Sequence, residues 1–127
     1  MVLENLNATT RNILIVDDEE EICILLSYAL KKLGFITNYA LTVMDGREKL
    51  KDLSPDLVLL DVQLPDGSGL SLIPKIKALK SNFVVISAYD DSRQKALNEG
   101  AAAFIKKPFN LKQITTSVVE LLNTNGL

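Results

Sequence analysis

Short, unbroken apolar runs alternate with amphipathic stretches along nearly the whole chain. Ile13-Leu14-Ile15-Val16, Leu57-Val58-Leu59-Leu60 and Phe83-Val84-Val85-Ile86 show no polar alternation, the pattern of strands buried on both faces. Thr37 to Ala40 and Ala103-Phe104-Ile105 predict two further strands. Between the runs, apolar residues recur at helical spacing. Ile22, Leu25, Leu26, Ala29, Leu30 and Leu33 form one stripe, closed by Gly34, a residue free to take the positive φ of a helix C-terminus. Thr42 caps a second helix that runs to about Leu53 and ends at Ser54-Pro55. A third helix covers about Leu70 to Leu79. Pro74 within it is tolerated only near the first turn, so with Ser71 as cap a late or irregular start is expected. Ser92 to Glu99 predicts a fourth helix, stopped by Gly100. Asn110 caps a fifth, with Leu111, Ile114, Val118, Leu121 and Leu122 on its apolar side.

Five strands alternating with five helices specify an α/β fold: a parallel sheet covered on both faces, doubly wound through right-handed crossovers. Residues 1–11 are rich in Asn and Thr and read as a flexible N-terminal arm. Residues 12–123 form the one domain, and 124–127 a short tail. There is no internal repeat or low-complexity tract. Lys75, Lys77 and Lys80 read as a solvated helix face.

Composition narrows the chemistry. The 127 residues are 47% hydrophobic, enough for one core and too few for two. Fourteen Lys+Arg against sixteen Asp+Glu leave a formal charge of −2, which argues against nucleic acid as a direct partner. The absence of histidine removes His-based general bases and His-ligated zinc. The single cysteine, Cys23, supports neither an intrachain disulfide nor a thiolate cluster. No apolar run approaches the roughly 20 residues of a membrane span, and Met1 to Asn5 lack the features of a signal peptide. A cytoplasmic domain without membrane attachment is expected. Its chemistry must come from carboxylates, hydroxyls, lysines or a hard metal ion.

The polar residues that stand out lie just past the strand ends. Asp17-Asp18-Glu19 follow the first strand, Asp61 the third, Ser87-Ala88 end the fourth, and Lys106-Lys107-Pro108-Phe109 follow the fifth. Each has a plain reading alone: acids favouring a helix N-terminus, a turn aspartate, a local cap, a surface turn. In an open parallel sheet, however, all these ends share one edge, where ligands bind at the switch in strand order. Three carboxylates there repel; at about 4 Å and an effective dielectric of about 20, each close pair costs on the order of 4 kcal/mol. A hard dication offsets this, and oxygen-only donors favour Mg²⁺. Mg²⁺ seeks phosphate oxygens, a carboxylate can serve as nucleophile and form an acyl phosphate, and a lysine and a hydroxyl supply donors to phosphoryl oxygens.

These residues carry a resemblance. Ile13-Leu14-Ile15-Val16-Asp17-Asp18-Glu19, Asp61-Val62-Gln63-Leu64-Pro65-Asp66-Gly67, Val85-Ile86-Ser87-Ala88 and Gly100-Ala101 through Lys107-Pro108-Phe109 together make the chain resemble the receiver domain of two-component response regulators. The resemblance spans about residues 12 to 122. It implies a flavodoxin-like sheet of order 2-1-3-4-5 and a phosphoacceptor switch charged by a sensor histidine kinase or phosphotransfer protein. Asp61 would accept the phosphoryl group. Asp18 would bind Mg²⁺ directly and Asp17 mostly through water, with Asp61 and the Gln63 backbone carbonyl completing the set. Lys107 would pair with the phosphoryl group, and Lys107-Pro108 would be cis. Ala88 would leave room and present its N–H. Ser87 would move inward on phosphorylation, and the vacated space would admit Phe104. The face of the fourth helix, fifth strand and fifth helix would then change shape, to control a C-terminal output domain, a separate partner or a homodimer contact. Leu64 and Phe104 stand where Met and Tyr are commoner. Tyr89 and Gln63 flank the site, where they would tune water access and autodephosphorylation.

Two other classes fit parts of the pattern. A carboxylate-nucleophile phosphatase would use Asp17, but usually wants a second Asp where Glu19 stands. A flavin-binding module would want a Gly/Ser/Thr-rich loop where this chain has acids.

Overall fold

Which side of the sheet each helix covers follows from strand alternation, because successive side chains point to opposite faces. The computed structural model describes residues 10–123; most of the expected arm at 1–11, and the tail at 124–127, lie outside the described residues. Strands β1 (Asn12–Val16), β2 (Ile36–Ala40), β3 (Leu57–Asp61), β4 (Asn82–Ser87) and β5 (Ala103–Lys106) form one sheet in the order β2-β1-β3-β4-β5. Every pairing in it is parallel. This is the doubly wound order expected from the sequence.

Ile13, Ile15, Leu57, Leu59, Val84, Ile86 and Ile105 point to one side. There they meet Cys23, Leu26 and Leu30 of α1 (Glu20–Lys32) and Ile114, Val118 and Leu122 of α5 (Leu111–Asn123). Leu14, Val16, Val58, Leu60, Phe83, Val85 and Phe104 point to the other side. They meet residues of α2 (Val43–Leu53), α3 (Ile73–Ala78) and α4 (Arg93–Asn98). Burying each large aliphatic side chain contributes about 1.5–3 kcal/mol, and a one-residue register slip would exchange the two faces and break the packing on both.

The helix ends follow the local sequence. Thr42 Oγ1 accepts from Asp45 N–H at 3.0 Å. Asn110 and Gln113 cap each other, each side chain accepting from the other's N–H, at 2.9 and 3.0 Å. Gly34 closes the α1 turn at φ +98°. The irregular start expected for the third helix is a 3₁₀ turn, Gly69–Leu72, which leaves Pro74 as the second residue of α3. A second 3₁₀ turn, Asp90–Ser92, precedes α4, which begins one residue later than the sequence suggested.

The stretch after Asp61, whose Pro65, Gly67 and Gly69 favour a loop, contains a small hairpin pairing Gln63–Leu64 with Gly67–Ser68. Asp66 at its tip accepts from the N–H groups of Val43 and Met44 at 2.7 and 3.0 Å. Those two donors hold its carboxyl below the ordinary aspartate range. The hairpin is thereby tied to the N-terminus of α2.

Cys23 is fully buried in α1, and its thiol donates to the Asp17 carbonyl at 3.4 Å. Burial first, and the nearby Asp17 charge second, push the thiol up to about 12. Since the thiolate is the reactive form, a disulfide reagent at mildly alkaline pH should label the native protein orders of magnitude more slowly than the denatured chain. Equal rates would contradict the buried placement.

Candidate functional site

The sheet register delivers the acids to one another. Val16 pairs with Leu60, so the next residues, Asp17 and Asp61, leave adjacent strands side by side at roughly the 4.8 Å strand spacing. On the other side of β3, Asp61 pairs with Ile86, and Ser87 pairs with Lys106. Lys107 N–H then donates to the Ser87 carbonyl at 2.8 Å. The junction of β1 and β3 is where strand order reverses, the place an open α/β sheet offers to ligands.

Lys107 sits at the centre of the cluster. Its Nζ lies 2.8 Å from Asp17 Oδ2, 2.9 Å from Glu19 Oε1 and 3.2 Å from Asp61 Oδ2. Asp17 and Asp61 are buried, at 3% and 7% exposure, whereas Asp18 and Glu19 are exposed at the rim. Burial raises the Asp17 carboxyl above its ordinary range, against the hydrogen bonds it receives from Lys107 and from Glu19 N–H. Burial also raises Asp61, and the Asp17 charge adds to it; Lys107 and the Val62 N–H oppose. Burial alone would loosen the Lys107 proton, but the bonds to Asp17 and Glu19 and the charge of Asp61 outweigh it, so the ammonium holds its proton more firmly than a free lysine.

Carboxylate oxygens of Asp17, Asp18 and Glu19 come within 4.8 Å of one another. This set, with Asp61 beside it, is all hard oxygen with no thiolate or imidazole, and fits a small dication such as Mg²⁺. Gly69 secures the acidic loop: its N–H donates to the Val62 carbonyl at 2.7 Å, and any Cβ there would collide with the Asp61 carbonyl oxygen.

Ser87 is buried, and its Oγ accepts from Tyr89 N–H at 3.0 Å. Ala88 and Tyr89 are exposed beyond it, and Gln63 is exposed on the hairpin. The Lys107–Pro108 peptide is cis. The Phe104 ring is buried, at 8% exposure, with the Arg93 guanidinium 4.7 Å above its centroid. Three residues have roles that the sequence did not reveal: Glu19 as a Lys107 partner, Asp66 as a clamp on α2, and Arg93. Glu19 alone had a visible signal, as the third acid of its run.

The sequence matches the family model of the response regulator receiver domain over residues 13–119. It is 34% identical over 117 residues to the DNA-binding transcriptional regulator NtrC of Azospirillum brasilense, spanning 89% of this chain and 24% of that regulator. It is 32% identical over 114 residues to sporulation initiation phosphotransferase F of Bacillus subtilis, spanning 87% of this chain and 92% of that protein. The fold matches response regulator protein TrrA of Thermotoga maritima, solved in complex with Mg²⁺–BeF, with a TM-score of 0.79, 30% identity, and coverage of 89% of this chain and 100% of that one. Among the described residues, no helix is long and apolar enough to cross a membrane.

The raised Asp61 carboxyl has a consequence for stability. A carboxyl that ionises less readily when folded costs nothing below its unfolded pKa, and its full penalty stands only above the folded one. Asp61→Asn, which keeps the shape and removes the charge, should therefore raise Tm by a few degrees at neutral pH, and the gain should fade as the pH drops through the carboxylate range. A lower Tm at neutral pH would contradict the electrostatic account.

Proposed function

The chain belongs to the response regulator receiver domain family, and on that premise we propose that residues 12–123 act as a cytoplasmic phosphorylation switch with Asp61 as acceptor. The observation that carries this reading is the Lys107 ammonium held between Asp61 and Asp17 at the strand-order reversal. Receiver domains are signalling switches and not enzymes acting on a free substrate. The chemistry proposed for this one is its own phosphotransfer and autodephosphorylation.

The phosphoryl group comes from a phosphohistidine of a sensor histidine kinase or phosphotransfer protein, since this chain has no histidine of its own. An Asp61 carboxylate oxygen attacks phosphorus in line. The P–N bond breaks, and its electron pair returns to the imidazole nitrogen. Lys107 donates to a phosphoryl oxygen, and the Ala88 N–H is a second donor. Asp17, Asp18, Asp61 and the Gln63 carbonyl would hold Mg²⁺, which supplies neutralisation of the charge on the transferring group. Docking of the donor is supported by a cleft of about 370 Å³ beside Lys107, where Ile22, Leu25, Pro108 and Phe109 offer apolar surface.

Transfer replaces the single charge of the Asp61 carboxylate with an acyl phosphate carrying about −1.5 to −2, a net gain of about one negative charge at most. Ser87 then exchanges the Tyr89 N–H for a phosphoryl oxygen as partner, and the α4–β5–α5 face is remodelled. Moving a population from roughly 1:99 to 99:1 takes about 5.5 kcal/mol, and one charge-assisted hydrogen bond contributes roughly 1.5–3 kcal/mol. Ser87 therefore acts together with Lys107 and the metal. The output is either a C-terminal domain, as the short span of the NtrC match suggests, or a relay partner, as the match to phosphotransferase F suggests; the same face can also carry a homodimer contact. The phosphatase alternative draws no support from the geometry, because Glu19, which stands where that chemistry wants a second Asp, is ion-paired to Lys107.

Incubation with a small acyl-phosphate donor and Mg²⁺ should label the wild type stoichiometrically and leave Asp61→Asn unlabelled. Undiminished labelling of Asp61→Asn would remove Asp61 from the role.

A further inference from the structure

The loop that follows Ser87 is fastened to β5 by two side-chain pairs. Phe104 and Lys106 are two residues apart on that strand, so they face the same side. Asp90 and Arg93 are three apart across a 3₁₀ turn, whose three-residue period sets such side chains in line. The two pairs match. Lys106 Nζ bonds Asp90 Oδ2 at 2.9 Å, and Arg93 stacks its guanidinium 4.7 Å above the Phe104 ring. The Lys106–Asp90 pair is exposed on both sides and contributes little by itself. The Arg93 contact covers a ring only 8% exposed, where a cation over an aromatic face is worth more. Phenylalanine has no hydroxyl to anchor to solvent or backbone, so this stacked cation is the polar partner its ring has.

We propose that Arg93 is a positioning residue for the switch: by capping Phe104 it holds the ring inward and the Ser87–Ser92 loop against β5, pre-setting the arrangement that receives the phosphoryl group. The proposal rests on the receiver reading above and concerns a residue that touches neither the phosphoryl site nor the metal ligands. With the ring buried under Arg93, its position is set before the phosphoryl group arrives. Arrival of the phosphoryl group then needs only the local exchange of the Ser87 hydrogen bond, not a concurrent ring movement. Because the same clasp fixes the first residue of α4, it links the state of Ser87 to the position of that helix.

Beryllofluoride with Mg²⁺, a phosphoryl mimic that requires no transfer step, gives the test. Its affinity is measured by thermal shift or calorimetry on the wild type, Arg93→Gln, Phe104→Leu and the double variant. Arg93→Gln should weaken binding about threefold to tenfold, as expected for loss of one cation–π contact on a buried ring. Phe104→Leu should do likewise, and the double variant should be no weaker than the worse single one, because both remove the same contact. Arg93→Lys should recover part of the affinity; a purely steric role would not be rescued by a cation. Wild type that binds while Arg93→Gln matches it, or single losses that multiply in the double variant, overturns the clasp alone. Wild type that binds no beryllofluoride overturns the receiver reading and the clasp with it.

Discussion

One ammonium cannot balance the carboxylates gathered around it. Lys107 reaches three of them within 3.2 Å, and Asp18 stands at the same rim. Two of the acids are buried, where unbalanced charge is most expensive. The pocket is thus left with negative charge in excess, and burial is the main cause that raises the Asp17 and Asp61 carboxyls. A site with that imbalance attracts a dication. On the proposed reading, a bound dication would let the site accept an anionic phosphoryl group that bare carboxylates would repel. The fold tolerates the buried charge because the middles of β1, β3 and β4 are apolar on both faces.

The topology makes the cluster. Strand order β2-β1-β3-β4-β5 sets the ends of β1 and β3 side by side, and parallel pairing sends every strand end to one edge. Asp61 is held from three directions: by the register of β3, by Lys107, and by Gly69 against its backbone. The hairpin beyond it is pinned to α2 through Asp66, and the Ser87 loop is pinned to β5 through Asp90 and Arg93. Asp61 therefore sits between two loops, one tied to α2 and the other to β5. A new charge at Asp61 would act on both.

Much of this is legible in the order of the amino acids alone. Unbroken apolar runs such as Leu57 to Leu60 can only be buried strands in an α/β alternation, and Asp17, Asp61, Ser87 and Lys107 all fall at or just past the ends of such runs. What escapes is set by contacts between residues distant in sequence. Pro65 and Gly67 look like loop, and only the Asp66 carboxylate on α2 makes their segment a hairpin. Glu19 reads as a helix-start acid until the lysine after β5 arrives beside it. The contact of Arg93 with Phe104 escapes in the same way, since Arg93 lies on another element and covers the ring.

The central claim is that the excess carboxylate charge around Lys107 builds a dication site. A calorimetric Mg²⁺ titration of the wild type against Asp18→Asn tests it most directly, since Asp18 is exposed and its replacement leaves the core intact. The account predicts one saturable site in the wild type, weakened by an order of magnitude or more in Asp18→Asn. Equal affinity in the two proteins, or no binding to the wild type, would contradict it.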